Sequence, residues 1–399
     1  MKFLKSAVYL VLAATVILII AGCKTPPRPS AVKVGVILPM SGEFAPYGKK
    51  VFFGIKLMAD EINLGGGIEN RQIDLVLIDN ESKVEKTAVG LRTLAEKKIF
   101  IVIGAYTSAD TFALKPDALK YKVTVISPMA TNDLITERNP YIFRTCFSDS
   151  FQGKAIGRFA VQKMQLDKIG VMLNIDENGT YSRDLGRATT GEIVASGGKV
   201  LTVEGYYRKS ATYVPQLQSI LNAGVNGIFI PSYAEEAAVM INEARKLGYQ
   251  GYIFGGDGWD EDAFFNQLGA TPGHCFFVSM FSARYDSPET RHFLEKVRKE
   301  TGGREPGVCE AQGYDTMGIV AQAIRNSVFE YDIRDALHNI KDYPGVTGKI
   351  SIDSDRNAIK NLFIKEVVKK TDGFFGPRLI AVIDPANGKN GKNGPNDQN

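Results

Sequence analysis

Short apolar runs ended by small or turn-forming residues recur along this chain, and most are followed by a longer stretch with helical spacing. Val32–Leu38 (VKVGVIL) stops at Pro39 and reads as a buried strand. Residues 47–64 follow, with Phe53, Ile55, Leu57, Met58 and Ile62 at helical spacing until Gly65-Gly66-Gly67 ends the pattern. Strands are predicted over 73–78, 99–103 and 123–126, with helices over 84–97 and 108–120 between them. Such alternation implies a parallel sheet covered on both faces. After a candidate crossing strand at 141–150 (YIFRTCFSDS) a second series begins. Its strands are 169–173, 200–203, 227–230, 252–254 and 274–279, and its helices are 151–164, 181–195, 213–221 and 234–247. Helices over 289–299 and 311–328 and late strands over 346–352 and 362–368 complete the pattern. The two series share no detectable sequence repeat. With 399 residues in the chain, two α/β lobes are the expected architecture.

In parallel sheets, ligands bind outside the carboxyl ends of the strands. Two lobes facing each other with those ends form a cleft, so the residues after each strand become the functional candidates. In the first series these are Gly104-Ala-Tyr-Thr-Ser-Ala-Asp110 and Ser127-Pro-Met-Ala-Thr-Asn132. Ser108 and Thr107 fit two roles, capping the next helix or meeting an anion at its N-terminus. The second loop, with Met129, Ala130 and Thr131, is either a plain turn or a place where backbone N–H groups and a hydroxyl meet a ligand. In the second series the strand ends carry Tyr181, Tyr233 and Asp257, the last within GGDGWD. Asp257 either closes an Asx turn or accepts from an ammonium group. Hydroxyls and N–H groups on one lobe, with tyrosines and a carboxylate on the other, suit a zwitterion.

Several function classes lack support. The net charge is +4 and scattered, with no basic stripe interleaved with aromatics for nucleic acid. Cys146, Cys275 and Cys309 leave an odd thiol and allow at most one disulfide; none stands in a CxxC spacing. Only three histidines exist, His274, His292 and His338, and no cysteine stands in a CxxH spacing to one, which gives zinc or thiol–imidazole chemistry little footing. A hydrolase built on Ser108 or Asp257 would need a base; there is no GxSxG, no P-loop and no histidine so placed.

The N-terminus reads as an export signal over 1–22: Lys2 and Lys5, an apolar run over 7–20, then Ile-Ala-Gly-Cys23. The alternative is a spanning anchor, for which the run is short of the ~20 residues needed. Residues 23–31 then form a Pro-rich tether, and the Gly/Asn-rich 385–399 segment reads as a disordered tail. Cys23 directly after Ala-Gly resembles the lipobox of bacterial lipoproteins, which implies a lipid anchor at that thiol.

From about Val32 to Ile383 the chain resembles the branched-chain amino-acid-binding proteins of bacterial ABC transporters, of the type I periplasmic binding protein fold. The landmarks are VKVGVILPMSGEFAPYG (32–48), ADEINLGGGIENRQIDLVLIDNES (59–82), IVIGAYTSADT (101–111), VISPMATNDLI (125–135), YIFRTCFSDSFQG (141–153), FIPSYAEEAAVMINEARKLGY (229–249), FGGDGWD (254–260) and GVTGKISID (345–353). The resemblance implies two doubly wound parallel-sheet lobes, 32–145 with 281–353 and 146–280 with 354–384. They would be joined by three crossing segments near Cys146, Ser279 and Asp353, with ligand in the interlobe cleft. It places carboxylate binding on Ser108, Ala130 and Thr131 with Met129 beside them, ammonium binding on Asp257, cleft tyrosines at Tyr181 and Tyr233, and a pocket aromatic at Tyr47. It implies a monomeric, non-enzymatic carrier without cofactor in the periplasm, handing an aliphatic α-amino acid to a membrane permease. A sensory receptor of the same fold, or a binder of small amides, urea or aromatic acids, is the alternative; the acidic Asp257 argues for an amine-bearing ligand. A first-lobe disulfide of some members is missing, its positions being Asn80 and Thr107. The pocket position opposite Tyr47 falls near Cys309, where members vary.

Overall fold

The computed structural model describes residues 31–385 except 330 and 372. The export signal, Cys23, all but the last residue of the tether and residues 386–399 of the tail lie outside the described residues. The first sheet contains β1 (Val32–Leu38), β2 (Ile73–Asp79), β3 (Ile101–Gly104), β4 (Thr124–Ser127) and β5 (Ile142–Arg144), in the order β2-β1-β3-β4-β5. All four pairings are parallel. Helices α1 (Ala45–Leu64), α2 (Val84–Glu96) and α3 (Ser108–Tyr121) make its crossovers. The continuous apolar strands follow from burial on both faces; β3 and β4 are buried at every residue.

The second sheet repeats that order with β6 (Lys168–Asn174), β7 (Lys199–Tyr206), β8 (Gly227–Ile230), β9 (Tyr252–Gly255) and β10 (Cys275–Ser279), connected by α4 (Asp149–Gln162), α5 (Thr180–Ala195), α6 (Val214–Asn222), α7 (Ala234–Lys246) and the short α8 (Asp262–Gln267). Three helices, α9 (Pro288–Thr301), α10 (Val308–Asn326) and α11 (Arg334–His338), come next. A small antiparallel sheet follows, made of β11 (Tyr343–Gly345), β12 (Gly348–Ile352) and β13 (Ala358–Ile359). The chain then returns to the second sheet as β14 (Leu362–Lys369) and β15 (Phe375–Ile383).

One expectation changes here. The second sheet is not purely parallel: β14 runs antiparallel to β10 and β15 antiparallel to β14. A hairpin needs only a tight turn, so it can extend a sheet where no crossover helix is available. β15 escaped sequence reading because it is an edge strand carrying Gly376 and Pro377, tolerated where one side needs no ladder partner. The strand expected over 346–352 forms as β12, and pairs antiparallel with β11, a short strand that the sequence does not signal.

Local sequence sets the helix ends. Thr107 caps α3 by accepting from the Asp110 N–H at 3.1 Å, and Ser148 caps α4 through the Phe151 N–H at 3.3 Å. Pro288 opens α9 and Gly302, at φ 70°, closes it. Helices α1 and α10 pack backbone to backbone at two glycines. A Cβ on Gly54 would stand 2.0 Å from the Glu310 carbonyl oxygen, and one on Gly313 would stand 2.1 Å from that of Val51. Only glycine permits this approach. Gly313→Ala is therefore expected to lower the urea midpoint by forcing the helices apart, at a cost of about 1–3 kcal/mol; an unchanged midpoint would refute the tight crossing.

All three described cysteines are free and buried, so no pair forms the disulfide that the count allowed. Burial raises Cys146 and Cys275 to about 12. A soluble form starting after Cys23 should show no thiol reactive toward an aromatic disulfide reagent when folded, and three after denaturation.

Candidate functional site

The sheets place their carboxyl ends around one narrow cavity of about 20 Å³, lined by Tyr106, Ser108, Met129, Thr131, Tyr181, Tyr233, Asp257, Gly258, Glu261 and Val308. Six of the eight sequence candidates are in that set. Tyr47 and Ala130 are not. Tyr47 stacks behind Tyr106, centroids 5.7 Å apart and planes 5° from parallel, and its hydroxyl donates to Glu235. The Ala130 N–H is already bound by the Ser127 hydroxyl at 3.0 Å, because the loop closes on itself there.

On the first-sheet side, the capping role falls to Thr107. Ser108 becomes the first residue of α3, where helix N–H groups lack intrahelical acceptors. Its Oγ accepts from the Asn132 N–H at 3.3 Å, which leaves the hydroxyl hydrogen to point elsewhere. The Thr131 N–H has no protein partner among the described residues. Two donors and a helix N-terminus therefore converge beside the cavity, a setting for a carboxylate.

The second-sheet side is acidic. Asp257 begins a single 3-10 turn, Asp257–Trp259, directly after β9. Its Oδ1 accepts from Gln152 Nε2 at 2.7 Å and from the Tyr181 hydroxyl at 2.9 Å. No protein donor among the described residues meets Oδ2. Burial raises its pKa to about 6, although Gln152 and Tyr181 pull the other way. Gln152 Nε2 also donates to Asp149 Oδ1 at 2.8 Å. Burial, then the charges of Asp257 and Asp184, push Asp149 well above the usual carboxylate range. Tyr181 is likewise driven upward by burial and by Asp257, which keeps its phenol a proton donor.

The lobes meet in an aromatic belt. Tyr181 stacks on Tyr233 at 5.2 Å, and Phe44 meets Tyr233 edge-on at 5.3 Å. Outside it, Arg208 binds Glu236 at 2.5 Å and Glu43 at 2.7 Å, and lies over the rings of Phe44 and Tyr233. Lys50 pairs with Glu261 at 2.9 Å and Asp262 at 2.8 Å. The lobes are thus clasped around the cavity, and a larger outer pocket of about 400 Å³ opens beyond Tyr181 and Tyr233.

This architecture matches known proteins over nearly its full length. The model of the periplasmic binding protein family matches residues 31–372. The chain belongs to that family. Among solved structures, the leucine-binding protein LivK of Thermotoga maritima is 27% identical, with a TM-score of 0.81 over 89% of this chain and 99% of that one. LivJ of Streptococcus pneumoniae, a branched-chain amino acid transporter substrate-binding protein solved with isoleucine, is 29% identical, with a TM-score of 0.78 over 88% and 99%. A solute-binding protein of an ABC transporter from Rhodopseudomonas palustris, solved with 3,4-dihydroxybenzoic acid, is 25% identical, with a TM-score of 0.77 over 89% and 98%. This periplasmic binding protein is accordingly a solute-binding protein of the ABC-transporter type, in a family whose fold serves binding.

Sequence reading missed Tyr106, Glu261, Val308 and Gln152. Tyr106 lies inside the loop it had chosen. Glu261 directly follows GGDGWD, and its pKa is raised to about 7 by burial despite Lys50. Cys309 does not line the cavity; its thiol donates to Glu261 Oε1 at 2.7 Å, and Val308 takes the cavity position. Gln152 lies 105 residues from Asp257, and no local spacing signals such a pair.

Proposed function

We propose that this periplasmic binding protein captures an α-amino acid, branched-chain or otherwise aliphatic, and delivers it to a membrane permease while lipid-anchored through Cys23. The observation that carries the reading is Asp257: a buried carboxylate with one oxygen held by Gln152 and Tyr181 and the other unpartnered, across the cavity from the N-terminus of α3. An ammonium group satisfies Oδ2, and Tyr181 and Tyr233 add aromatic faces. The ligand carboxylate goes to the Ser108 hydroxyl and the Thr131 N–H. Met129 and Val308 offer apolar surface to the side chain. Aromatic acids, as in the Rhodopseudomonas relative, would leave Asp257 buried, charged and unpaired, a costly arrangement.

A thermal-shift screen of the twenty amino acids, small amides and benzoates tests the reading. A ligand at a hundredfold excess over its Kd stabilises by ~2.7 kcal/mol, a clear shift in melting temperature. Stabilisation by aliphatic amino acids is expected. A response to benzoates alone would overturn it.

Binding should also depend on pH. The ammonium pairs with the ionised form of Asp257, whereas the empty site has a pKa of about 6. Affinity should be flat above pH 7 and fall about tenfold per unit below 6, as binding then requires proton release. Calorimetry in buffers of different ionisation enthalpy would report that proton; its absence at pH 5.5 would contradict the pairing.

A further inference from the structure

We propose that Arg144, which lies behind the cleft, is the positioning residue that supplies the counter-charge for the ligand carboxylate, acting through the peptide groups of the 128–133 loop. This rests on the reading that the carboxylate is held at Ser108 and Thr131. The cavity lining itself contains two carboxylates, Asp257 and Glu261, and no Lys, Arg or His. A ligand carboxylate entering it meets no cationic side chain in that lining.

Arg144 ends β5 and is fully buried. Its guanidinium stays charged, yet its hydrogen bonds all go to neutral acceptors. Nη1 donates to the carbonyls of Thr131 at 2.5 Å and Ala130 at 3.3 Å, Nη2 to that of Asp133 at 3.2 Å, and Nε to Asn357 Oδ1 at 2.7 Å. The carboxylates of Asp133, Asp149 and Asp184 act on it at longer range. A buried charge arranged this way is expensive and calls for a compensating use.

The peptide geometry supplies that use. In a trans peptide the N–H points opposite to the C=O. Drawing the carbonyls of Ala130 and Thr131 back onto Arg144 therefore turns the N–H groups of Thr131 and Asn132 forward. The Asn132 N–H meets Ser108 Oγ at 3.3 Å, and the Ser108 hydroxyl is then polarised to donate into the cavity. The Thr131 N–H has no protein acceptor among the described residues. Other donors hold the same loop from behind: Gln312 Nε2 on the Pro128 carbonyl at 2.8 Å and the Asp149 N–H on that of Thr131 at 2.8 Å. Among the described residues only Arg144 brings a positive charge directly onto the loop; Lys360 stands one step back, donating to Gln312 Oε1 at 2.5 Å. The link from Arg144 to Asn357 also ties the loop to the segment between β12 and β13.

Calorimetry on the full-length protein with L-leucine and L-leucinamide, which lacks the carboxylate charge, tests this. Arg144→Gln should weaken leucine binding by about 30-fold or more, the scale of a lost charge-assisted interaction, and leucinamide binding by no more than about threefold. Arg144→Lys should restore most of the leucine affinity. Equal weakening for both ligands, with the wild-type preference for leucine intact, would show a purely structural role and overturn the proposal. A wild-type protein indifferent to the carboxylate would overturn the underlying carboxylate reading as well. Should Arg144→Gln fail to fold, the wild-type Arg144 Nε–H resonance decides: a shift with leucine and none with leucinamide supports the role, and equal shifts refute it.

Discussion

Asp257→Asn is expected to weaken amino-acid binding at least about 30-fold while leaving the empty protein at least as stable as the wild type. The asparagine Oδ1 can still accept from Gln152 and Tyr181, so the local scaffold keeps its hydrogen bonds. What disappears is the charge that pairs with the ammonium group. Truncating one partner of a buried charge pair costs about 2–5 kcal/mol, or roughly 30- to several-thousand-fold in affinity. Stability moves the opposite way. The folded-state pKa of Asp257 is raised from 3.8 to about 6, so the empty protein is favoured below pH 4 and loses that stability as pH rises through 6. At pH 7.5 the charged carboxylate costs the empty fold on the order of 1–3 kcal/mol, which the amide removes. Calorimetry with leucine and thermal melts without ligand give both numbers. Unchanged affinity would remove Asp257 from the ligand site; a much lower melting temperature would make it a structural residue instead.

Trp259→Ala should cause the largest loss of folding stability among single changes near the site. Trp259 is fully buried and stacks on Phe264 with centroids 5.0 Å apart. Its indole N–H donates to the Ile230 carbonyl at 3.1 Å, which binds the end of β8 to the turn after β9. Gly255 lies against it so closely that a Cβ would come 2.1 Å from the ring. Removing a buried aromatic of this size costs about 3–5 kcal/mol, part of it for the cavity left behind. Because Trp259 is two residues from Asp257 in the same turn, ligand affinity should fall as well. Urea unfolding followed by circular dichroism measures the loss, since the chain has one tryptophan and the variant has no indole signal. A cost below 1 kcal/mol would mean that the turn stands without its anchor. In the wild type, that single indole also reports ligand entry from within the turn.

Much of the candidate site is legible in the sequence. Strand ends in a parallel sheet are where ligands meet the fold, and Ser108, Thr131, Tyr181, Tyr233 and Asp257 stand shortly after such ends. Each stands within a few residues of an apolar run that ends abruptly, a signal carried by local order. Ser108 and Thr107 could not be ranked, because both hydroxyls suit a helix N-terminus; the structure gives the cap to Thr107. Tyr47 is implied only by the family resemblance, and Tyr106 stands between it and the cavity.

The sequence by itself determined the alternation of strands and helices, the two α/β series, and the loops at which the sheets open. Those properties follow from apolar periodicity and turn chemistry, both of which act over fewer than about ten residues. Tertiary structure alone decided the antiparallel return of β14 and β15, the bridging of Asp149 and Asp257 by Gln152, and the seating of Arg144 behind the Ala130–Asp133 carbonyls. These pairings join residues that different elements carry into contact, and each depends on where a buried polar group must find its partner. Spacing along a chain records which face is apolar. It does not record which distant donor will satisfy a carbonyl turned inward, and in this protein that choice shapes the loop beside the candidate cavity.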